Sequence, residues 1–337
     1  MAINMVEWQR QVILEKVKKP SPLLLYPALS LMDVSLGELL HNSSYLAEAM
    51  RIIVEKADPL ISVGVMDLSV EAEAFGAEIK EYENEVPTVK GALITDIPSA
   101  EALRVPEVNR HRTKVMVEAC SLAKKVISDR PVLGGILGPF SLGGRLLDVN
   151  KALVYTKKNP ELLHLTLQKV CEFLVDYGGE FKKAGADGVF IAEPLAGLIS
   201  PKMSEEFSGA YIKKIVDFLQ DESFSVFYHN CGDAAGKMTE SIVNTGVRAI
   251  HFGNKVNMKE VMDLIPPDIL VMGNIDPAAC FVNGTPEIMR ACVRALLDSV
   301  GSYNNFILSS GCDVPHTAGF DIIHAFYHEA EKWQEKL

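Results

Sequence analysis

GVFIAEPLAGLISPKMSEEFSGAYIKKIVDFLQDESFSVFYHNC, residues 188–231, carries the unit from which the rest of the chain is built. Its first part, GVFIAEP (188–194), and its last, SVFYHNC (225–231), are short apolar runs with β-branched and aromatic residues, as expected of strands covered on both faces. Between them SEEFSGAYIKKIVDFLQ (204–220) places its apolar residues at helical spacing. Strand, helix, strand in that order predicts two parallel strands joined by a helical crossover, because a tight turn cannot join parallel neighbours.

The same beat extends in both directions. Strand-like runs occur at LLLYPAL (23–29), ISVGVMDL (61–68), VLGGILGPF (132–140), RAIHFGN (248–254), ILVMGNID (269–276) and NFILSSGC (305–312), with helical patterns such as TPEIMRACVRALLDSV (285–300) between them. With the two runs above they make eight, and the expected fold is α/β: a (β/α)8 TIM barrel with a helical N-terminal cover. No linker or low-complexity tract divides the chain, and KKPSP (18–22) ends the first helix rather than a domain. The expectation is therefore one domain over residues 1–337, with 1–57 forming the N-terminal strand and cover and 58–337 the rest of the barrel.

Composition narrows the partners. The 337 residues include 33 basic and 44 acidic side chains, a formal charge of −11 that argues against a nucleic-acid backbone or an anionic membrane surface. The first residues lack a basic-then-apolar leader pattern, and no apolar stretch is long enough to span a bilayer, so a cytoplasmic protein is expected. Six cysteines in so long a chain do not form a dense disulfide framework. Reduced thiols remain available for a metal or for catalysis.

Candidate functional residues cluster where the runs end. Asp67, Gly138, Glu193, His229 with Asn230 and Cys231, His251, Asn274 with Asp276, and Cys312 all fall at or just before the ends of strand-like runs. In a parallel barrel these ends share one mouth, where loops vary without disturbing the packed interior. His229 and Cys231 are two positions apart and so point to one side of an extended strand. With Cys312 they form a nitrogen–sulfur donor set suited to zinc, leaving a fourth position open. The plain alternative is that each is a packed core residue, since free cysteine is among the most buried types.

Other residues divide in the same way. Cys120, Cys171 and Cys292 lie in helical patterns and read as small apolar residues, while Cys280 is a minor alternative ligand. The histidines of HAFYH (324–328) have metal-compatible spacing but lack the glutamate of a zinc-protease motif. Glu193 is read as a fourth ligand, a substrate contact or a water-facing acid; His251 as a fourth ligand, a support for the ligands or a substrate contact. The glycine-rich GPFSLGGRLLD (138–148) matches no phosphate-binding fingerprint, and its Arg145 faces either an anionic group or an ordinary ion pair.

The blocks GPFSLGGRLL (138–147), AGADGVFIAEPLAGLISP (184–201), FYHNCGD (227–233), VMGNIDPAACFVNGT (271–285) and NFILSSGCDVPHTAGFDII (305–323) resemble the uroporphyrinogen decarboxylase superfamily over about residues 20–330. Within it, His229-x-Cys231 and Cys312 resemble the zinc motif of the branch that moves methyl groups between corrinoids and small acceptors, the methylcobalamin:coenzyme M methyltransferase-like group. The decarboxylases are zinc-free and carry an arginine-rich, glutamine-containing N-terminal stretch, where this chain has LLLYPALSLMDVSLGELL (23–40). Acidic residues common in the methyltransferases after strand six are replaced here by HFGNKVNM (251–258).

The resemblance implies a zinc-dependent methyltransferase acting between methylcobalamin or a corrinoid protein and a small acceptor or donor, most simply a thiol. The alternative it implies is a uroporphyrinogen decarboxylase-like decarboxylase. Under the first reading His229, Cys231 and Cys312 hold the metal, Glu193, Asn230 and Asp276 are catalytic candidates, and Gly138, Arg145 and Asn274 contact the corrinoid cofactor. A free thiol has a pKa near 8.5 and becomes nucleophilic on zinc coordination. Because the chain lacks an Asp-x-His-x-x-Gly corrinoid-binding signature, a separate corrinoid protein is the expected transient partner.

Overall fold

The computed structural model describes residues 3–336. Seven parallel strands form one sheet in the order β1 (Ser62–Val63), β4 (Val132–Leu137), β5 (Gly188–Ala192), β6 (Ser225–Asn230), β7 (Ala249–Phe252), β8 (Leu270–Ile275) and β9 (Phe306–Ser310). Every residue of β4 to β9 is buried, which is why their sequences are continuous apolar runs rather than alternating ones. Amphipathic helices, among them Pro160–Lys183, Ala210–Leu219, Pro286–Val300 and Phe320–Gln334, alternate with these strands along the chain.

The first expected strand is corrected. LLLYPAL does not form a strand: Tyr26–Leu31 is a 3-10 turn with Pro27 in its opening positions, where a fixed φ and a missing N–H are tolerated. The extended residues just before it nevertheless lie between the two sheet edges. Leu60 N–H donates to Pro20 O at 3.0 Å beside β1, and Ser21 N–H donates to Leu308 O at 2.9 Å on β9. Leu23 N–H donates to Ser310 Oγ at 3.0 Å, and Val314 N–H donates to Leu23 O at 2.9 Å. One short segment can reach both edge strands only if the sheet curls round, and the arrangement is TIM-barrel-like.

At the opposite end from the mouth, helix Met5–Leu14 lies against the starts of the strands. Met5 N–H donates to Glu222 O at 2.6 Å, and Gln9 Nε2 donates to Asp268 O at 2.5 Å. The Trp8 ring lies 6.4 Å from that of Phe227.

An antiparallel hairpin, β2 (Glu78–Lys80) with β3 (Thr88–Lys90), follows the first sheet strand and was not expected from sequence. No helix among the described residues is long and apolar enough to cross a membrane.

Candidate metal centre

β6 delivers His229 as its penultimate residue, and Cys231 follows immediately; Cys312 lies two residues after β9. The chain separation collapses in space: one ligand atom from each of His229, Cys231 and Cys312 lies within 4.8 Å of the others, and no fourth histidine, cysteine or acid among the described residues joins them. His229 Nε2 and Cys312 Sγ are 3.6 Å apart. A tetrahedral ion with nitrogen at about 2.0–2.1 Å and sulfur at about 2.3 Å would hold nitrogen and sulfur about 3.5–3.6 Å apart and the two sulfurs about 3.8 Å apart. The residues therefore fit zinc in chemistry, and the His229–Cys312 pair has the matching spacing.

A chain of hydrogen bonds fixes which nitrogen of His229 is bare. His229 Nδ1 is 2.8 Å from His251 Nδ1, His251 Nε2 is 2.9 Å from Ser309 Oγ, and Ser309 Oγ donates to Ser21 O at 2.7 Å. A carbonyl can only accept. Ser309, having given its proton to Ser21 O, accepts from His251 Nε2–H, so neutral His251 has a bare Nδ1 and accepts there from His229 Nδ1–H. His229 Nε2 is left with its lone pair toward the thiols, as a metal ligand requires. Burial, reinforced by the neighbouring His229, pushes the His251 pKa well below its ordinary value, so His251 is neutral.

The thiols are unequal. A hydrogen bond from Cys312 lowers the Cys231 pKa, while donating to Cys231, together with burial, pushes Cys312 up to about 12. Burial lowers the His229 pKa, while the adjacent Cys312 sulfur, Asp313 and the His251 backbone together raise it, and the net direction is up.

His229, Cys231 and Cys312 border a cavity of about 340 Å³ whose wall also includes Tyr26, Asp67, Arg145 and Asp313, with Val86, Pro87, Thr88 and Val89 from the hairpin. Arg145 reaches it from the last turn of helix Pro139–Leu147. Burial, and then Cys312 beside it, push the Asp313 pKa up to about 8. Asp67 is ion-paired with buried Arg112 and accepts from Ser69 N–H and Oγ–H at 2.9 and 2.6 Å.

The other expected residues do not line this cavity. Glu193 is buried and accepts from Phe140 N–H at 2.8 Å, Ser141 N–H at 3.2 Å and Ser208 Oγ–H at 2.9 Å. It thus caps the helix that Gly138 begins. Gly138 is required there because a Cβ would sit 1.8 Å from Glu193 Oε2. Asn230 Oδ1 accepts from Gly232 N–H at 2.9 Å, bracing the turn that carries Cys231. Asn274 Nδ2 donates to Gly253 O and Val256 O, both at 2.8 Å. Asp276 caps the turn after β8, accepting from Ala278 and Ala279 N–H at 2.9 and 2.8 Å. Both nitrogens of His251 are engaged within the chain described above.

Cys280 lies 2.9 Å from the Cys292 sulfur, apart from the cluster. Cys120 and Cys171 are buried within helices, as expected, and His324 and His328 sit on the exposed face of the last helix. Ser21, Ser309 and Asp313 were missed; the only signal was two adjacent serines inside the apolar run NFILSSGC.

The family model for uroporphyrinogen decarboxylase matches residues 25–333. A methylcobamide:CoM methyltransferase of Methanosarcina acetivorans is 29% identical over 80% of this chain and 79% of its own length. A uroporphyrinogen decarboxylase of Pseudoalteromonas translucida is 27% identical over 64% of this chain and 65% of its own. Among solved structures, a methyltransferase from Methanosarcina mazei superposes with a TM-score of 0.85 at 21% identity over 99% of both chains. That last likeness establishes a common fold.

Proposed function

The chain belongs to the uroporphyrinogen decarboxylase family, and we propose that within it this protein is a zinc-dependent methyltransferase that moves a methyl group from a corrinoid to a small thiol. The observation that carries the reading is the meeting of one imidazole nitrogen and two thiols at a cavity wall, at zinc-like spacing and with no fourth protein ligand among the described residues. Structural zinc sites close all four positions with protein; this donor set leaves one for solvent or substrate.

Zinc held by His229, Cys231 and Cys312 would supply the Lewis acidity that removes the proton from a substrate thiol near neutral pH. The protein residues do the rest. His251, Ser309 and Ser21 hold the His229 lone pair outward. Asn230 braces the turn bearing Cys231, and Glu193, Gly138, Asn274 and Asp276 fix neighbouring strand ends through backbone hydrogen bonds; we assign these residues to positioning. In the transfer the cobalt–carbon bond breaks with its electron pair left on cobalt, the carbon–sulfur bond forms from the thiolate pair, and the thiol proton goes to solvent.

The corrinoid would arrive on a separate protein docking over the mouth in the cytoplasm, and the chain would act as one domain. A decarboxylase acting on a many-acid porphyrinogen is disfavoured by the cavity wall, which among the described residues offers one arginine and no lysine.

The test is metal analysis of protein purified without added metal, combined with the corrinoid spectrum on mixing methylcobalamin with thiols. About one zinc per chain and thiol-dependent conversion to the demethylated corrinoid support the reading. Zinc well below one per chain, unchanged by Cys312→Ser, removes it.

A further inference from the structure

The cavity beside the three donors contains a cation that has nothing to bind. Arg145 is partly buried, makes no hydrogen bond or ion pair among the described residues, and the acid whose charge it feels is Asp67. Asp67 is already satisfied: one oxygen accepts from Ser69 N–H and Oγ–H, and the other is held by Arg112. Burial lowers the Arg145 pKa, an effect that the charge of Asp67 only partly offsets. An uncompensated buried charge is unfavourable, and a planar fork of donors is suited to a carboxylate or a related oxyanion. The formal charge of −11 gives an anion no long-range attraction to the protein as a whole, so its recognition must be local.

The surroundings describe the rest of the ligand. Met66, Leu68, Val86, Pro87 and Val89 form apolar wall in the same cavity, and the two thiols and His229 border it. A volume of about 340 Å³ lies within the range of small-ligand pockets and exceeds the needs of a two-carbon thiol.

We infer that the substrate is an amphiphilic acid: an oxyanion group bound by Arg145, an apolar body against the hairpin and the Met66–Leu68 segment, and the reacting sulfur at the donor cluster. This rests on the methyl-transfer reading of the same site for the identity of the reacting atom; the acid subsite itself rests on Arg145 and the cavity.

The experiment measures dissociation constants for 6-mercaptohexanoate, the sulfonate of the same length, neutral 6-mercaptohexan-1-ol, the short acid 2-mercaptoethanesulfonate, and thiol-free hexanoate as competitor, on the zinc-loaded protein. A long acid should bind at least about tenfold tighter than the alcohol, as a charge-assisted hydrogen bond provides, and the better of carboxylate and sulfonate identifies the oxyanion. The short acid should bind more weakly than the long ones. Arg145→Met should bring acid and alcohol together while zinc content is unchanged, and Arg145→Lys should fall between.

Equal binding of acid and alcohol to the wild type overturns the inference, and needs no variant that must fold. So does a preference for acid that survives both Arg145 substitutions, and a short acid bound as tightly as the long ones refutes the apolar body. Methyl transfer to acid and alcohol with equal efficiency would leave the methyltransferase reading standing without the acid subsite. Arg145-dependent hexanoate binding without methyl transfer to any thiol would do the reverse.

Discussion

Two buried polar clusters stand at neighbouring strand ends and differ in how they finish. At β5, Glu193 directs its oxygens at Phe140 N–H, Ser141 N–H and Ser208 Oγ–H, so its bonding is closed within the protein. At β6, hydrogen bonds run from His229 through His251 and Ser309 to Ser21 O, and the open end is a lone pair facing two thiols. Both clusters are buried, and both shift pKa values. What separates the two clusters is whether any bonding capacity is left over.

The sharpest break of that comparison is loss of the open end. His229→Ala or Cys312→Ser should drop zinc from about one per chain to a small fraction and reduce methyl transfer by at least about 10³-fold, with circular dichroism unchanged. Retained zinc and activity would make the two clusters equivalent. Extended dialysis against a chelator should have the same effect on the wild type, reversed by adding zinc back.

Next in size is the support behind the ligand. His251→Phe removes the acceptor that keeps the His229 proton on Nδ1, and zinc affinity, read by competition with a chromophoric chelator, should fall about 10–100-fold. Ser309→Ala should do less, because His251 retains its contact with His229. An affinity unchanged in both would show that the chain does not orient the ligand.

Glu193→Ala should leave zinc content alone and lower unfolding stability by about 1–3 kcal/mol, because it leaves two buried N–H groups without an acceptor. The smallest effect is on pH dependence. Burial raises Glu193 from 4.5 to about 7, so between those values the folded state binds a proton that the unfolded state has released. Stability tied to this group is complete below about pH 4.5 and declines as pH rises to about 7. Glu193→Gln should flatten urea-derived stability across that window by up to one proton's worth of slope. Glu71, raised by burial to about 7, leaves a parallel slope in the variant.

What could be read in advance follows physical range. β4 to β9 fall inside apolar runs because a strand covered on both faces admits little else. The run at 23–29 has the same composition but turns at Tyr26–Leu31, and hydrogen bonding to two edges rather than composition places residues 20–23. His229, Cys231 and Cys312 were legible because donor type and strand-end position coincide. Glu193 met the same criteria yet faces a helix N-terminus, a choice made by the absence of a side chain at Gly138. The roles of Ser309 and Ser21 depend on contacts 288 positions apart in sequence, which no local pattern encodes.

The Ser21 carbonyl therefore gives the order of events during biosynthesis. It leaves the ribosome well before Ser309 and Cys312, and Lys18 N–H is tied to Gln334 Oε1 at 2.9 Å only when helix Phe320–Gln334 is made. A nascent chain already displaying His229 and Cys231 lacks both the third donor and the anchor that orients the imidazole. Under the zinc reading proposed above, ion capture would follow the emergence of Cys312, and a ribosome-stalled fragment ending before residue 306 should retain no zinc through a desalting column.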